Sequence, residues 1–152
     1  MRRVACVVAL LVIAFPVFGG EEVEKEYIDP EQGFTQVVTA VHNGLKTVWV
    51  SGQIGWAADA SEPGADLAAQ AEIAFASVLR RLEQAGASLD DVVKTTVFLK
   101  DIDPDKVRTA GGAQAKAYAV EKYPASTWVG VTGLVDPRLL IEVEATAVIA
   151  VD

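Results

Sequence analysis

The stretch from Thr35 to Ser51 constrains the fold more than any other part of the chain, because Asn43-Gly44 stands in it between two runs rich in β-branched residues. Asparagine and glycine both tolerate the positive φ angles of a two-residue primed turn, so this dipeptide is a strong signal for a β-hairpin. His42 then lies at the hairpin tip, where we expect a solvent-exposed turn residue rather than a catalytic one. The chain therefore builds a sheet, and the segments that follow have to pack on it.

An amphipathic helix is predicted after the hairpin. Asp66 has the position of its N-cap, apolar residues recur at three- and four-residue steps, and Gly86 ends the pattern. The run Val92–Leu99 is rich in branched and aromatic residues and predicts a strand. Ser88 and Asp91 have capping-box spacing just before it.

A second helix begins at Asp103-Pro104, where a capping residue precedes proline at the first helical position. Pro124 must end this helix. Gly111-Gly112 lies inside it and weakens a helix by about 1 kcal/mol per glycine relative to alanine. Either a close neighbour requires small residues there, or the helix is merely weak.

Two further strands are predicted over 127–131 and 139–151, with a turn at Asp136-Pro137 between them. The resulting order predicts one α+β domain, a mixed β-sheet with two helices packed on one face. Two helices cover only part of such a sheet, so we expect a homo-oligomer to bury the rest. The charged stretch 21–32 lacks periodically spaced apolar residues. We interpret it as a linker or irregular arm before a domain spanning 33–152.

The first twenty residues have the layout of a secretory signal peptide: two arginines, an apolar run from Val4 to Phe18, then glycines. This run is shorter than the roughly 20 residues that a membrane-spanning helix needs. We therefore expect cleavage, export to the periplasm or the exterior, and no membrane association afterwards. N-terminal sequencing of secreted protein tests this expectation.

Residue composition limits the kinds of functional site that the mature chain can form. Cys6 lies inside the signal segment and His42 is the single histidine, so disulfides, thiolate metal sites and a serine–histidine triad have little to be built from. No metal or other cofactor is predicted. The net charge of −8 for the full chain also repels phosphate backbones, which disfavours nucleic acid as a partner.

Glu142 and Glu144 share one face of the last predicted strand, because side chains alternate along a strand. They lie about 7 Å apart at the usual rise per residue. Desolvated carboxyl groups at this spacing suit general acid–base catalysis, since burial raises a carboxyl pKa. The alternative is a solvated strand face that carries acidic residues.

Four segments together resemble the Rid family, also called YjgF, of small enamine and imine deaminases: 51-SGQIG-55, 94-KTTVFLKD-101, 124-PAST-127 and 141-IEVEATAV-148. The resemblance runs in order from about Gly33 to Val148. It implies a chorismate-mutase-like fold, a homotrimer, and small-molecule pockets between neighbouring subunits. It also implies a cytoplasmic location as the family-typical alternative to export.

The resemblance also assigns residues to a ligand site. The family glutamate that positions the attacking water matches Glu142, and the family serine beside glycine and glutamine matches Ser51. A family tyrosine falls on Phe34, so its phenol is missing. The family arginine that binds the substrate carboxylate falls on Ser126. The loss of that bidentate pair costs roughly 10²–10⁴ in the use of a carboxylate substrate.

Without that arginine, three explanations stay open. Another cation such as Arg138 substitutes, the ligand is neutral or positively charged, or the pocket no longer catalyses. Ser126, Thr127 and Trp128 would line a pocket for a neutral, partly apolar molecule, although Trp128 is equally well explained as a packing residue.

The leading hypothesis is an exported Rid-family homotrimer that binds a small molecule in its subunit clefts and hydrolyses a non-standard imine or enamine. The competing hypothesis is a binding or chaperone-like trimer without turnover. Ribonuclease activity is the weakest option, because the chain is acidic.

Overall fold

The structure is a computed structural model that describes residues 23–118 and 122–151. The predicted signal segment lies outside the described residues. The elements are, in chain order, β1 (Glu24–Glu31), β2 (Phe34–His42), β3 (Leu45–Ile54), α1 (Leu67–Gln84), a 3₁₀ turn (Leu89–Asp91), β4 (Val92–Lys100), α2 (Pro104–Ala117), β5 (Ala125–Val131) and β6 (Ile141–Ala150).

The strands form one six-stranded sheet in the order β1-β2-β3-β6-β4-β5. Only β4 and β5 pair in parallel, and the other four pairs are antiparallel, so the sheet is mixed as predicted. Helix α1 packs on β3 and β6, and α2 packs beside α1. Both helices therefore cover one face of the sheet, which confirms the predicted α+β architecture.

The predicted N-terminal arm is a strand instead. Residues 24–31 pair with β2 from Glu24–Val41 to Glu31–Phe34, so the domain begins before Gly33. This edge strand has seven of its eight residues exposed and therefore no apolar alternation that a sequence pattern could detect. Backbone pairing, not side-chain burial, builds it, and an edge position tolerates Pro30 because one side of the strand needs no ladder donor.

The local signals for turns and caps are confirmed. Asn43 and Gly44 have φ angles of 50° and 71°, which fit the primed turn of the β2–β3 hairpin. The Asp66 carboxylate accepts a hydrogen bond from the Ala69 backbone N–H, and Ser88 and Asp91 form the capping box. Gly86, with a φ of 77°, follows the end of α1.

Helix α2 ends at Ala117, well before Pro124. A methyl group added at Gly111 or Gly112 would meet no other described atom within 4 Å. The two glycines therefore weaken the helix without serving close packing among the described residues. In the same part of the chain, no helix is both long and apolar enough to cross a membrane.

The core lies between the sheet and α1. In β6, Ile141, Val143, Ala145 and Ala147 are buried on the helix side, so Glu142 points to the opposite face, as predicted from alternation. Val48, Val97 and Phe75 belong to the same buried cluster. The sheet face away from the helices carries the two glutamates.

Candidate functional site

A bulge in β3 brings the backbone of the SGQIG segment close to Glu142. The pairing of β3 with β6 shifts register between Val50 and Gln53, which leaves an extra residue in β3. A Cβ at Gly52 would overlap the Glu142 carboxyl group, so only glycine at this position leaves room for that side chain as it lies. The bulge and its glycine therefore position the carboxylate.

A cleft of about 580 Å³ opens beside this bulge. The cleft is lined by residues from the end of β1, the start of β2, the end of β3, the start of β6 and one side of α1. The lining residues that matter for its chemistry are Glu31, Phe34, Ser51, Trp56, Arg80 and Glu142. Phe34, Ser51 and Glu142, three of the residues proposed from the sequence, thus share one cleft within a single chain.

Glu142 is the candidate acid–base group of this cleft. Burial raises its pKa, and the negative charge of Glu144, two residues along the same strand face, raises it further. Its carboxylate makes no hydrogen bond to another described residue. A half-buried carboxyl group that keeps its proton to higher pH, with its oxygens uncommitted, can exchange a proton with a bound water or ligand.

Ser51 contributes an acceptor to the cleft. Its hydroxyl donates a hydrogen bond of 2.6 Å to the Thr35 backbone carbonyl, across the β2–β3 pair. The hydroxyl proton is therefore engaged, while the oxygen lone pairs remain available. Such an oxygen suits a ligand N–H group.

Strand β5 does not bring its polar residues to this cleft within one chain. Ser126 lies beside Thr95 in the parallel β4–β5 ladder, and the Thr95 hydroxyl donates to the Ser126 hydroxyl oxygen over 3.1 Å. Thr127 accepts a hydrogen bond of 2.8 Å from the Lys94 ammonium group. Trp128 is partly buried and packs against the core, as its packing interpretation predicts.

Arg138 is not among the residues lining the cleft, and its guanidinium is occupied elsewhere. It lies 4.5 Å from the ring centroid of Trp56 and donates hydrogen bonds to Glu62 and Asp136 at 2.7 and 2.8 Å. The hydrogen bonds from Arg138 lower the pKa of Asp136 to about 2, and the arginine pKa is raised in turn. Arg138 thus ties the loop before β6 to the loop after β3.

Three of these lining residues, Glu31, Trp56 and Arg80, were missed by reasoning from the sequence. Arg80 belongs to the helical pattern of α1, where a charged residue beside an apolar stripe is ordinarily a solvated one. The signal that could have found it is the pair Arg80-Arg81. Arg81 has only 14% of its side chain exposed and pairs with Asp29 of β1, whereas its neighbour Arg80 is exposed and also lines the cleft.

Known proteins match both the sequence and the fold. A family model described as Endoribonuclease L-PSP matches residues 24–149. The chain belongs to this family. The 2-iminobutanoate/2-iminopropanoate deaminase of Escherichia coli K12 is 38% identical over 102 residues, covering 64% of this chain and 76% of that protein.

Solved structures of family members superpose on the fold. A Mycobacterium tuberculosis member of the YjgF/YER057c/UK114 family has a TM-score of 0.67 and 30% identity, covering 83% of this chain and all of that one. RidA from an Antarctic Psychrobacter has a TM-score of 0.68 and 32% identity, covering 77% of this chain and 89% of its own. Escherichia coli TdcF with bound serine has a TM-score of 0.65 and 29% identity, covering 77% and 88%.

Proposed function

We propose that this Rid-family protein hydrolyses a non-standard imine or enamine in the Glu142 cleft. The observation that carries the proposal is the Glu142 carboxylate, half-buried, raised in pKa and uncommitted, beside the glycine that makes room for it. The Escherichia coli relative named as an imine deaminase supports the class of reaction.

Hydrolysis requires the protein to position the substrate and a water molecule and to move protons between them. The Glu142 carboxylate takes a proton from water while the water oxygen forms a bond to the electrophilic C=N carbon. The carboxyl group then returns that proton to the nitrogen, which gives a carbinolamine. The carboxylate next takes the hydroxyl proton and passes it to the amino group as the C–N bond breaks, so that ammonia leaves and the C=O bond of the product forms. An enamine first tautomerises to the imine, by gaining a proton at carbon and losing one from nitrogen. Burial and the charge of Glu144 raise the pKa of Glu142, which makes its carboxylate a stronger proton acceptor than an ordinary one.

The assembly we propose is the homotrimer that the family resemblance implies, with the ligand in clefts between subunits. The sheet face away from the helices supports this proposal, because in the single chain it leaves Trp49 and Leu45 exposed at 45% and 52%. We also propose export, on the strength of the N-terminal sequence pattern.

Ammonia release from a panel of imines and enamines tests the activity. We expect turnover by the wild-type oligomer and at least a 100-fold loss in Glu142→Gln, in the range of a lost general acid–base group. Glu144→Gln is the matched control, because it removes the same charge from the same strand face two residues away. Equal losses in the two variants would contradict the assigned role of Glu142.

A binding protein without turnover is the second candidate. It is favoured by Ser126, which stands where the deaminases of this family carry a carboxylate-binding arginine and is hydrogen-bonded to Thr95 here. No ammonia release from any compound of the panel would support it. The acidic net charge of −8 argues against an RNA substrate.

A further inference from the structure

We infer that Arg80 of α1 anchors an acidic group of the ligand, and that the Glu142 cleft takes a carboxylic acid with an apolar body. The inference rests on the proposed function only in placing the ligand in this cleft. It supplies a positive charge from a helix, where the family pattern has one on β5 and this chain has Ser126.

Two arginines of α1 line the cleft, but one of them is structural. The Arg81 guanidinium donates hydrogen bonds to Asp29 at 2.6 Å and to Gln84 at 3.1 Å, and its charge is neutralised by Asp29. Gln84 donates to the same Asp29 carboxylate. Arg81 therefore fastens β1 to α1 and has little left to offer a ligand.

Arg80 has its donors largely free. Among the described residues its guanidinium makes one hydrogen bond, a long one of 3.4 Å to the hydroxyl of the buried Ser77, and no ion pair. The planar guanidinium fork matches a carboxylate in two parallel hydrogen bonds. An arginine with such donors in a cleft that also holds a reactive carboxyl group is suited to bind an anion there.

The acids of the cleft do not satisfy Arg80. Glu31 accepts a hydrogen bond of 2.6 Å from the Gln36 amide, and neither Glu31 nor Glu142 forms an ion pair with Arg80 in the part of the chain described. The carboxylate of a ligand would therefore meet a cation that no described protein group has neutralised.

The aromatic walls argue against a positively charged ligand. Phe34 and Trp56 supply apolar surface to the cleft, and Arg138 already places its charge over the Trp56 ring at 4.5 Å. A second cation on that ring would be repelled. A volume of about 580 Å³ also exceeds what an acid of three or four carbons fills, which points to a larger apolar body.

The test compares two probes of nearly equal shape, 3-phenylpropanoate and its neutral amide 3-phenylpropanamide, by calorimetric titration of the intact oligomer. We expect the wild type to bind the carboxylate about tenfold or more tightly than the amide. Arg80→Gln should abolish this preference while the affinity for the amide stays within about twofold. Arg80→Lys should retain part of it, because the ammonium keeps the charge without the fork.

Arg108→Gln is the matched control. Arg108 is an exposed arginine of α2 whose charge faces Asp105 outside the cleft, so its loss changes the net charge equally and should leave the preference intact. An unchanged preference in Arg80→Gln, an equal loss in Arg108→Gln, or no wild-type preference for the carboxylate at millimolar concentration overturns the inference. Because the readout is binding, absent turnover in the imine panel would refute the proposed hydrolysis and leave this result standing.

Discussion

The bulge of β3 and the edge strand β5 both carry residues that the family resemblance assigns to a ligand, but the two regions use them differently. At the bulge, the Glu142 carboxylate has no hydrogen bond to another described residue, and Gly52 leaves it room. On β5, Ser126 and Thr127 are engaged with Thr95 and Lys94 of the neighbouring strand. Hydroxyl groups that already have hydrogen-bond partners cost more to recruit than a carboxyl group without one, so the bulge is the more favourable place for the proposed reaction.

The largest effect that would test this contrast is expected from Gly52→Ala. The new methyl group would displace the Glu142 carboxyl group, and misplacing a catalytic group by about 1 Å can cost on the order of 100-fold in rate. The overlapping atoms belong to the end of a flexible side chain, so the stability cost should stay below about 1 kcal/mol. Ammonia release and thermal unfolding of the same variant measure the two effects.

Gly55→Ala is the control for this variant, because it adds the same methyl group three residues away. There the Cβ would overlap the Cα and Cβ of Gln70, whose side chain donates to the Gly64 and Arg138 carbonyls and accepts from the Leu140 N–H. A backbone neighbour cannot rotate away, so this change should destabilise by about 1–3 kcal/mol. A Gly52→Ala protein with wild-type turnover would contradict the contrast between the two regions.

A smaller effect is expected on the other side of the comparison, from Ser126→Ala. The Thr95 hydroxyl is fully buried, and losing its described partner should cost about 1 kcal/mol in the free energy of unfolding. Affinity for 3-phenylpropanoate should change by less than about twofold, which is the result expected of a packing contact. Urea unfolding and calorimetric titration measure the two quantities.

The double variant Thr95→Val with Ser126→Ala closes a cycle around this pair. If the hydroxyls serve mainly each other, the second change should cost less in the background of the first. A loss of ligand affinity in Ser126→Ala at unchanged stability would assign β5 to the ligand site and erase the distinction drawn from the single chain.

The sequence predicted features whose causes are local. Asn43-Gly44, the Asp66 cap and the alternation around Glu142 each depend on a few neighbouring residues, and the structure has all three. Strand β1 was missed because its pairing depends on β2 and its side chains are mostly exposed. Arg80 was missed because its place in the cleft depends on how α1 lies against β2 and β3, which no local pattern encodes.

The smallest effect concerns the pH dependence of stability at the bulge. The folded-state pKa of Glu142 is raised by burial and by Glu144. Relative to the unfolded chain, this group therefore favours folding below its ordinary pKa of about 4.3, and that contribution is lost as pH rises through the folded value.

Glu142→Gln should consequently stabilise the protein at pH 7, by less than about 1 kcal/mol because solvent screens a half-buried group. The gain in stability should shrink toward zero below about pH 4, where the Glu142 carboxyl group is protonated in both the folded and the unfolded chain. Thermal unfolding from pH 3 to pH 8, with Glu144→Gln alongside, measures this difference. A stability gain at pH 7 that persists unchanged at pH 3 would show that the amide packs better in the bulge. It would also remove the electrostatic reason for regarding Glu142 as the acid–base group.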